Sequence, residues 1–236
     1  QRSATHGETV CCAGVTAQGE FKRLFPIRFR HLADDVAFKR WDWVDFKYRR
    51  PTRDRRSESC HVMEDSIHVS GSMPSRDRAS FLNRLVFPSV KAAEENGQSL
   101  ALIRPRNTQF DFKKKKPADL DQERRIYAEA ASQGSFFDER LKALEPSPYD
   151  FRFKFEDEAG SHTYTNGDWE AHAMYFNGLR REGSEKAALD WMSKTFNEDY
   201  PRKGMLFCVG NMAARPQTWQ LLGVLRVDDT NQPSFL

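Results

Sequence analysis

Residues 166–172, NGDWEAH, combine carboxylates and an imidazole at close spacing. Asp168, Glu170 and His172 occupy alternate positions, and His162 lies a short distance before them. Divalent cations are bound by carboxylate oxygens and imidazole nitrogens that converge from more than one element. A histidine beside a carboxylate can also act as a general base. The stretch therefore raises the hypothesis of a metal or catalytic site.

Local secondary structure decides which of these side chains can converge. A strand would project Asp168, Glu170 and His172 to one side, whereas residues i and i+2 of a helix point about 200° apart. Asn166, Gly167 and Asp168 are typical of a helix N-cap region, and the alanines that follow favour a helix. The sequence thus favours a capped helix start, in which the positive helix end stabilises the Asp168 carboxylate.

A smaller catalytic site stays open as an alternative. His162 could approach Asp168 or Glu170 across a short turn, and Asp157 and Glu158 raise the acid density nearby. This alternative predicts a metal-dependent nuclease or hydrolase with His162, Asp168 and Glu170 as catalytic residues and a divalent cation as cofactor. A surface histidine beside a helix start is the plain structural interpretation. The sequence contains no nucleophile elbow, Walker A loop or dinucleotide-binding fingerprint.

Three groups of basic residues suit contact with phosphates. Arginine and lysine neutralise the nucleic-acid backbone, and neighbouring aromatic rings can stack on bases. The predicted nucleic-acid-binding residues are Arg49, Arg50, Arg53, Arg55, Arg56, Arg104, Arg106, Lys113, Lys114, Lys115 and Lys116. Trp41, Trp43 and Tyr48 precede the first group, and core packing is the more ordinary role for their rings. An exposed tryptophan on a basic face would strengthen the nucleic-acid hypothesis.

The elements that must position these residues begin with short β segments. Alternation over 38–50 predicts one strand with aromatic rings on both faces, and alternation over 146–158 predicts another with phenylalanines on one face. Helical patterns follow at 118–144, 168–181 and 184–197. Several strands precede the first helix, and later strands alternate with helices. The order predicts an α+β fold, with a β-rich N-terminal part (barrel-like or a mixed sheet) and a helix-strand C-terminal part.

Charge divides the chain near residue 117. Residues 1–116 carry 23 Lys and Arg against 14 Asp and Glu, whereas residues 117–236 carry 14 against 20. This asymmetry predicts a basic β-rich part over 1–117 and an acidic α/β part over 118–236, with one continuous domain as the alternative. Any polyanion would meet the basic part first.

Composition argues against a helical membrane protein. Charged residues make up 30% of the chain, and no apolar run approaches the roughly 20 residues that a membrane helix needs. The four cysteines show no CxxC spacing, which is typical of buried thiols in a reducing compartment. These features predict a cytoplasmic protein without a membrane partner.

Segments along nearly the whole chain resemble, in order, an uncharacterised bacterial protein family. The matching segments are GETVCCAGVTAQGEFKRLFPIRFR, FKRWDWV, SLALIRPR, YDFRFKF, a histidine followed after five residues by DWE, and FCVGNMAARPQTWQLLGVL. The resemblance implies no activity. In relatives, the phenylalanine-rich strand runs into a loop with two cysteines that looks like a zinc knuckle, whereas the loop here, EDEAGSH, has none. Relatives also begin with a further short strand, so the resemblance implies a natural start before Gln1.

Three hypotheses about function follow. The leading one is a nucleic-acid-binding protein of a bacterial defence or mobile-element system, which contacts DNA or RNA through its basic N-terminal half. The second is the metal-dependent nuclease or hydrolase. The third is a non-catalytic subunit of a protein complex, whose acidic half binds a protein partner. Whether the protein is an enzyme stays open among them.

Overall fold

The structure, a computed structural model, describes residues 10–28, 32, 36–132 and 145–227. The strands are β1 (Val10–Val15), β2 (Phe21–Ile27), β3 (Asp42–Asp45), β4 (Tyr48–Arg49), β5 (Ser59–Val62), β6 (His68–Ser72), β7 (Val86–Phe87), β8 (Leu100–Ile103), β9 (Arg106–Lys114), β10 (Tyr149–Asp157), β11 (Gly160–Thr165), β12 (Met205–Met212) and β13 (Arg215–Arg226). The helices are α1 (Ser75–Asn83), α2 (Val90–Glu95), α3 (Pro117–Ser132), α4 (Trp169–Glu182), α5 (Glu185–Lys194) and α6 (Tyr200–Arg202). The predicted α+β class with a β-rich N-terminal part is confirmed.

Two compact units interleave along the chain. The first consists of Gln1–Pro74 with Lys116–Pro146, and the second of Ser75–Lys115 with Ser147–Leu236. Residue 117 begins α3, and β8 before it pairs with β12 after it. The division into 1–117 and 118–236 stays a prediction. None of the helices in the described residues is long and apolar enough to cross a membrane.

The first unit contains a four-stranded mixed sheet in the order β1-β2-β5-β4. Strands β2 and β5 run parallel, and the other neighbours run antiparallel. Strands β3 and β6 form a separate antiparallel pair. Among the described residues, the buried core of this unit includes Leu24, Ile27, Cys60, Val62 and Ile67. The N-terminal part is therefore a mixed sheet, one of the two forms that the sequence predicted.

The predicted single strand over 38–50 is wrong. Trp41 has a φ of 77°, and the chain forms two short strands, β3 and β4, that belong to different sheets. A left-handed backbone conformation is uncommon for a tryptophan, and alternation of residue types does not reveal it. After β3 the strand is interrupted at residues 46 and 47, and β4 lies at a sheet edge instead of at a sheet centre.

The second unit joins two sheets, β11-β10-β9 and β13-β12-β8-β7, through the residues that follow β11. The N–H of Asn166 donates to the Phe151 carbonyl at 2.8 Å, and Asn166 forms an isolated parallel bridge with Leu221. The next N–H, that of Gly167, donates to the Leu221 carbonyl at 2.9 Å. This junction fixes the segment from which α4 starts.

The core of the second unit lies on the inner face of β10. Phe151, Phe153 and Phe155 are at most 2% exposed, as the alternating pattern predicted. Phe153 makes an edge-to-face contact with Phe207 of β12 at a ring distance of 5.1 Å. Such aromatic pairs add about 0.5–1.5 kcal/mol beyond burial of area. The inner face of β10 therefore ties its own sheet to β12.

The two C-terminal helices predicted from periodicity are confirmed as α4 and α5. Gly183, at a φ of 76°, ends α4, and the Ser184 side chain accepts the Ala187 N–H at the start of α5. Within α4, a Cβ built on Gly178 would lie 2.9 Å from the ring of Trp191, so α5 packs closely against this glycine. The helix predicted over 118–144 is present as α3, and residues 133–144 lie outside the described part.

The free edge of β9 is covered by side chains. A π-helical turn, Thr195–Asp199, follows α5, and the Asn197 side-chain oxygen accepts the Phe110 N–H at 2.7 Å. The Asp111 carboxylate accepts the Phe112 N–H at 2.9 Å. An edge strand with unpaired N–H groups is a template for aggregation, and these two contacts protect it.

Candidate functional site

Asp168 is the N-cap of α4, as the sequence favoured. Its Oδ1 accepts the N–H of Glu170 at 2.9 Å, and its Oδ2 accepts the N–H of Val224 in β13 at 3.3 Å. The N–H of Asp168 itself donates to the side-chain oxygen of Asn166 at 3.0 Å. The carboxylate thus connects the start of the helix with a neighbouring strand through backbone hydrogen bonds.

Glu170 and His172 take different directions from the first turn of α4. The Glu170 side chain is exposed. The His172 ring lies nearly parallel to the Trp169 ring at 6.4 Å and makes a T-shaped contact with the buried Phe151 ring at 5.6 Å. His172 is therefore a packing residue against the core, in agreement with the helical interpretation of this stretch.

His162 pairs with a carboxylate other than the two that the sequence suggested. Its Nε2 lies 2.8 Å from Oδ2 of Asp157, across the β10–β11 hairpin. The two groups are in close contact, but without the direction of a good hydrogen bond. Strand β11 continues to Thr165, so the predicted turn that would carry His162 toward Asp168 or Glu170 does not form. This part of the prediction is wrong because the chain stays extended.

Asp157 is a buried carboxylate that accepts several backbone hydrogen bonds. Its Oδ1 accepts the N–H groups of Ala159 at 2.8 Å and Gly160 at 3.2 Å, and its Oδ2 accepts that of Val90 at 2.9 Å. Burial raises the pKa of Asp157, but the Val90 N–H and His162 outweigh it, so the pKa lies below its usual value. This residue fixes both the hairpin turn and the start of α2.

The surroundings of His162 indicate a structural role for the pair. The ring stacks on Phe155 at 5.0 Å, and its Nδ1 lies 3.4 Å from the Tyr164 hydroxyl. Burial, together with the charges of Asp157 and Glu94, raises the pKa of Tyr164 to about 12, which leaves it a neutral phenol. Both ring nitrogens of His162 therefore face protein groups. Within the described residues, no three His, Cys, Asp or Glu side chains gather closely enough to hold a metal ion.

The predicted basic residues fall into both units, and the lysines have different environments. Lys113 lies opposite Asp150 in the β9–β10 register and is exposed. Lys115 has a side chain only 4% exposed, with its Nζ 3.8 Å from the Asp150 carboxylate. Lys114 and Lys116 are exposed. Acidic partners thus offset part of this lysine run.

The two arginines around β9 also have partners within the second unit. Arg104 donates to the side-chain oxygen of Asn83 at 2.5 Å. Arg106 donates to the Asp157 carbonyl at 3.0 Å and lies opposite Glu156 in the β9–β10 register. Both guanidinium groups are exposed enough to meet a ligand, but they already help to hold their own loops in place.

The richest basic feature of the first unit is the stretch Lys47–Arg56, here called the basic segment. It has six basic residues against one acidic residue. Arg49, Arg50, Arg53 and Arg55 are exposed. The structure places no carboxylate of the described residues within ion-pair distance of the last three.

Two acid–base pairs anchor this segment. Arg56 donates to both oxygens of Asp54, at 2.9 and 2.6 Å, and Ser59 donates to the same carboxylate at 2.7 Å. Although burial raises the pKa of Asp54, the hydrogen bonds from Arg56 and Ser59 lower it to about 2. Beneath them, the buried side chains of Arg23 and Glu58 pair at 3.3 Å. Of the predicted binding residues here, Arg56 is thus held by an internal partner.

The basic segment also contains an exposed aromatic ring, that of Tyr48. It is 49% exposed at the edge strand β4, and the Phe46 ring lies 6.0 Å from it at 56°. On the other face of β4, the Arg49 guanidinium is 3.3 Å from Nε2 of His61. The sequence favoured a core role for the Tyr48 ring and did not indicate His61, because the pairing of β4 with β5 at a sheet edge had to be known.

Comparison with known proteins shows two consecutive family matches. Residues 1–86 match the family described as Domain of unknown function (DUF8758), and residues 87–235 match Domain of unknown function (DUF8757). No curated protein and no solved structure matches the chain. The second match covers more than half of the sequence, and the predicted relationship to an uncharacterised family is thereby confirmed. The chain belongs to the family described as Domain of unknown function (DUF8757).

Proposed function

We propose that the protein binds nucleic acid through the basic segment Lys47–Arg56. The observation that carries this proposal is the state of Arg50, Arg53 and Arg55. Their side chains are exposed, and no carboxylate of the described residues neutralises them. Guanidinium groups in this state form charge-assisted, bidentate hydrogen bonds to phosphate.

The other charges of the first unit support this assignment. Lys22 pairs with Glu20, and Arg28 pairs with Glu64. These pairs neutralise basic residues elsewhere in the unit. The exposed arginines of the basic segment have no such acidic partner among the described residues, and a polyanion that binds them releases counterions.

The segment is also held in place before a ligand arrives. The Asp54–Arg56 contact and the Arg23–Glu58 pair fix the loop on either side of Arg55. A fixed loop loses less conformational freedom on binding than a flexible arginine-rich tail does. The anchoring pairs thus favour the exposed arginines as a preorganised contact surface.

Removal of charge tests the proposal. The variant Arg50→Ala/Arg53→Ala/Arg55→Ala should bind a labelled oligonucleotide about tenfold or more weakly than the wild type in fluorescence anisotropy at low salt. The variant Lys91→Ala/Lys186→Ala/Arg202→Ala removes the same charge from exposed sites with acidic neighbours and should bind like the wild type. An equal loss of affinity in both variants would show only an effect of net charge and would contradict the assignment.

A further inference from the structure

We infer that the basic segment binds single-stranded nucleic acid, with a base stacked on the Tyr48 ring. This inference rests on the proposed function and names its substrate class. The Tyr48 ring is half exposed, although a large ring in a sheet would ordinarily be covered. Val62, its register partner on β5, is buried. The Tyr48 ring therefore lies on the same face of the sheet as the core, at the exposed edge of that face.

The ring is supported as a stacking surface requires. Phe46 lies beside Tyr48 at 6.0 Å and packs against the core of the first unit. A ring held by a neighbour loses little freedom when a base covers its exposed side. Arg50, two residues after the ring, is exposed, whereas the Arg49 side chain lies on the opposite face of β4 beside His61.

The shape of the segment favours a single strand over a duplex. The major groove of a duplex admits a helix or a two-stranded ribbon. The basic segment is instead a two-residue edge strand followed by an irregular loop that contains Pro51. Bases in a duplex are stacked on each other, whereas those of a single strand are free to stack on an aromatic ring.

A matched pair of variants tests the inference against single-stranded DNA, single-stranded RNA and duplex DNA of one sequence, each of about 20 nucleotides. Tyr48→Ala should weaken binding of both single strands by roughly tenfold, while Tyr48→Phe, which keeps the ring, should stay within about twofold of the wild type. Duplex binding should be weaker and should not distinguish the two variants. Thermal unfolding checks that both variants are folded.

Two outcomes would overturn the inference, and neither of them removes the proposed function. One is a duplex that binds as tightly as the single strands. The other is a folded Tyr48→Ala variant that binds like Tyr48→Phe. In both cases the arginine triple variant would still lose affinity if the basic segment binds nucleic acid. If that triple variant also binds normally, the proposed function itself fails.

Discussion

At the scale of single residues, the histidine and carboxylates around β11 and α4 act mainly on structure. Asp157 joins a hairpin turn, a helix start and His162 through one buried carboxylate. Asp168 joins the first turn of α4 to β13. The oxygens of each carboxylate accept hydrogen bonds from backbone N–H groups, which would otherwise lack a partner. Replacement of either residue should therefore change the stability of the protein.

Replacement of Asp157 by asparagine should destabilise the protein by about 2–3 kcal/mol near neutral pH, because a charged acceptor of several hydrogen bonds is lost. The pKa of Asp157 is lower in the folded protein than in the unfolded chain. Its stabilisation is thus present above the unfolded pKa of about 3.9 and is lost as pH falls through the lower folded pKa. In urea unfolding, the difference in free energy of unfolding between the wild type and the variant should be largest near neutral pH and should shrink below about pH 4. A difference that is independent of pH would contradict this account.

Replacement of Asp168 separates its capping role from a role as a metal ligand. Asp168→Ala should lower the free energy of unfolding by about 1–2 kcal/mol, since the Glu170 and Val224 N–H groups lose their acceptor. Asp168→Asn keeps a good cap and should lose much less. Thermal unfolding measures both. Stabilisation of the wild type by a divalent cation, abolished in both variants, would instead support the metal-dependent alternative.

At the scale of elements, short-range sequence patterns predicted the features that depend on neighbouring residues, such as the buried face of a strand and the start of a helix. Alternation places the phenylalanines of β10 on one face, and the Asn166–Asp168 cap starts α4 where the sequence predicted. Both features depend on neighbouring residues alone. The partner of His162 was missed because the β10–β11 register had to be known. The break before β3 was missed because a left-handed Trp41 has no signature in its residue type.

The close contact between α4 and α5 yields a prediction at this scale. Gly178→Ala should destabilise the protein by about 1–3 kcal/mol, because the new methyl group would meet Trp191 at 2.9 Å and Ala188 at 3.2 Å. Alanine has the higher helix propensity, so propensity alone predicts the opposite sign. Asn177→Ala, at the exposed neighbouring position, serves as the control and should change stability little. Chemical denaturation of both variants decides between packing and propensity.

At the scale of the whole molecule, charge counts identified the basic half but not the arginines that are available to a ligand. The counts treated Arg56 and Arg53 alike, yet Arg56 is held by Asp54 and Arg53 is not. Lys115 was counted with its neighbours, although its side chain is 4% exposed. Burial and ion pairing arise from tertiary structure, so the sequence predicted a basic region but not that Arg56 and Lys115 are held by internal partners.

The salt dependence of oligonucleotide binding tests the central claim most directly. If the exposed arginines and lysine of the basic segment contact three to five phosphates, the slope of log K against log salt should be roughly −2 to −3.5 for a single strand. Affinity measured by anisotropy should then fall by about tenfold to a hundredfold between about 50 and 200 mM salt. Absent binding near 50 mM salt, or binding that does not change with salt, would contradict the claim that this protein binds nucleic acid through its basic segment.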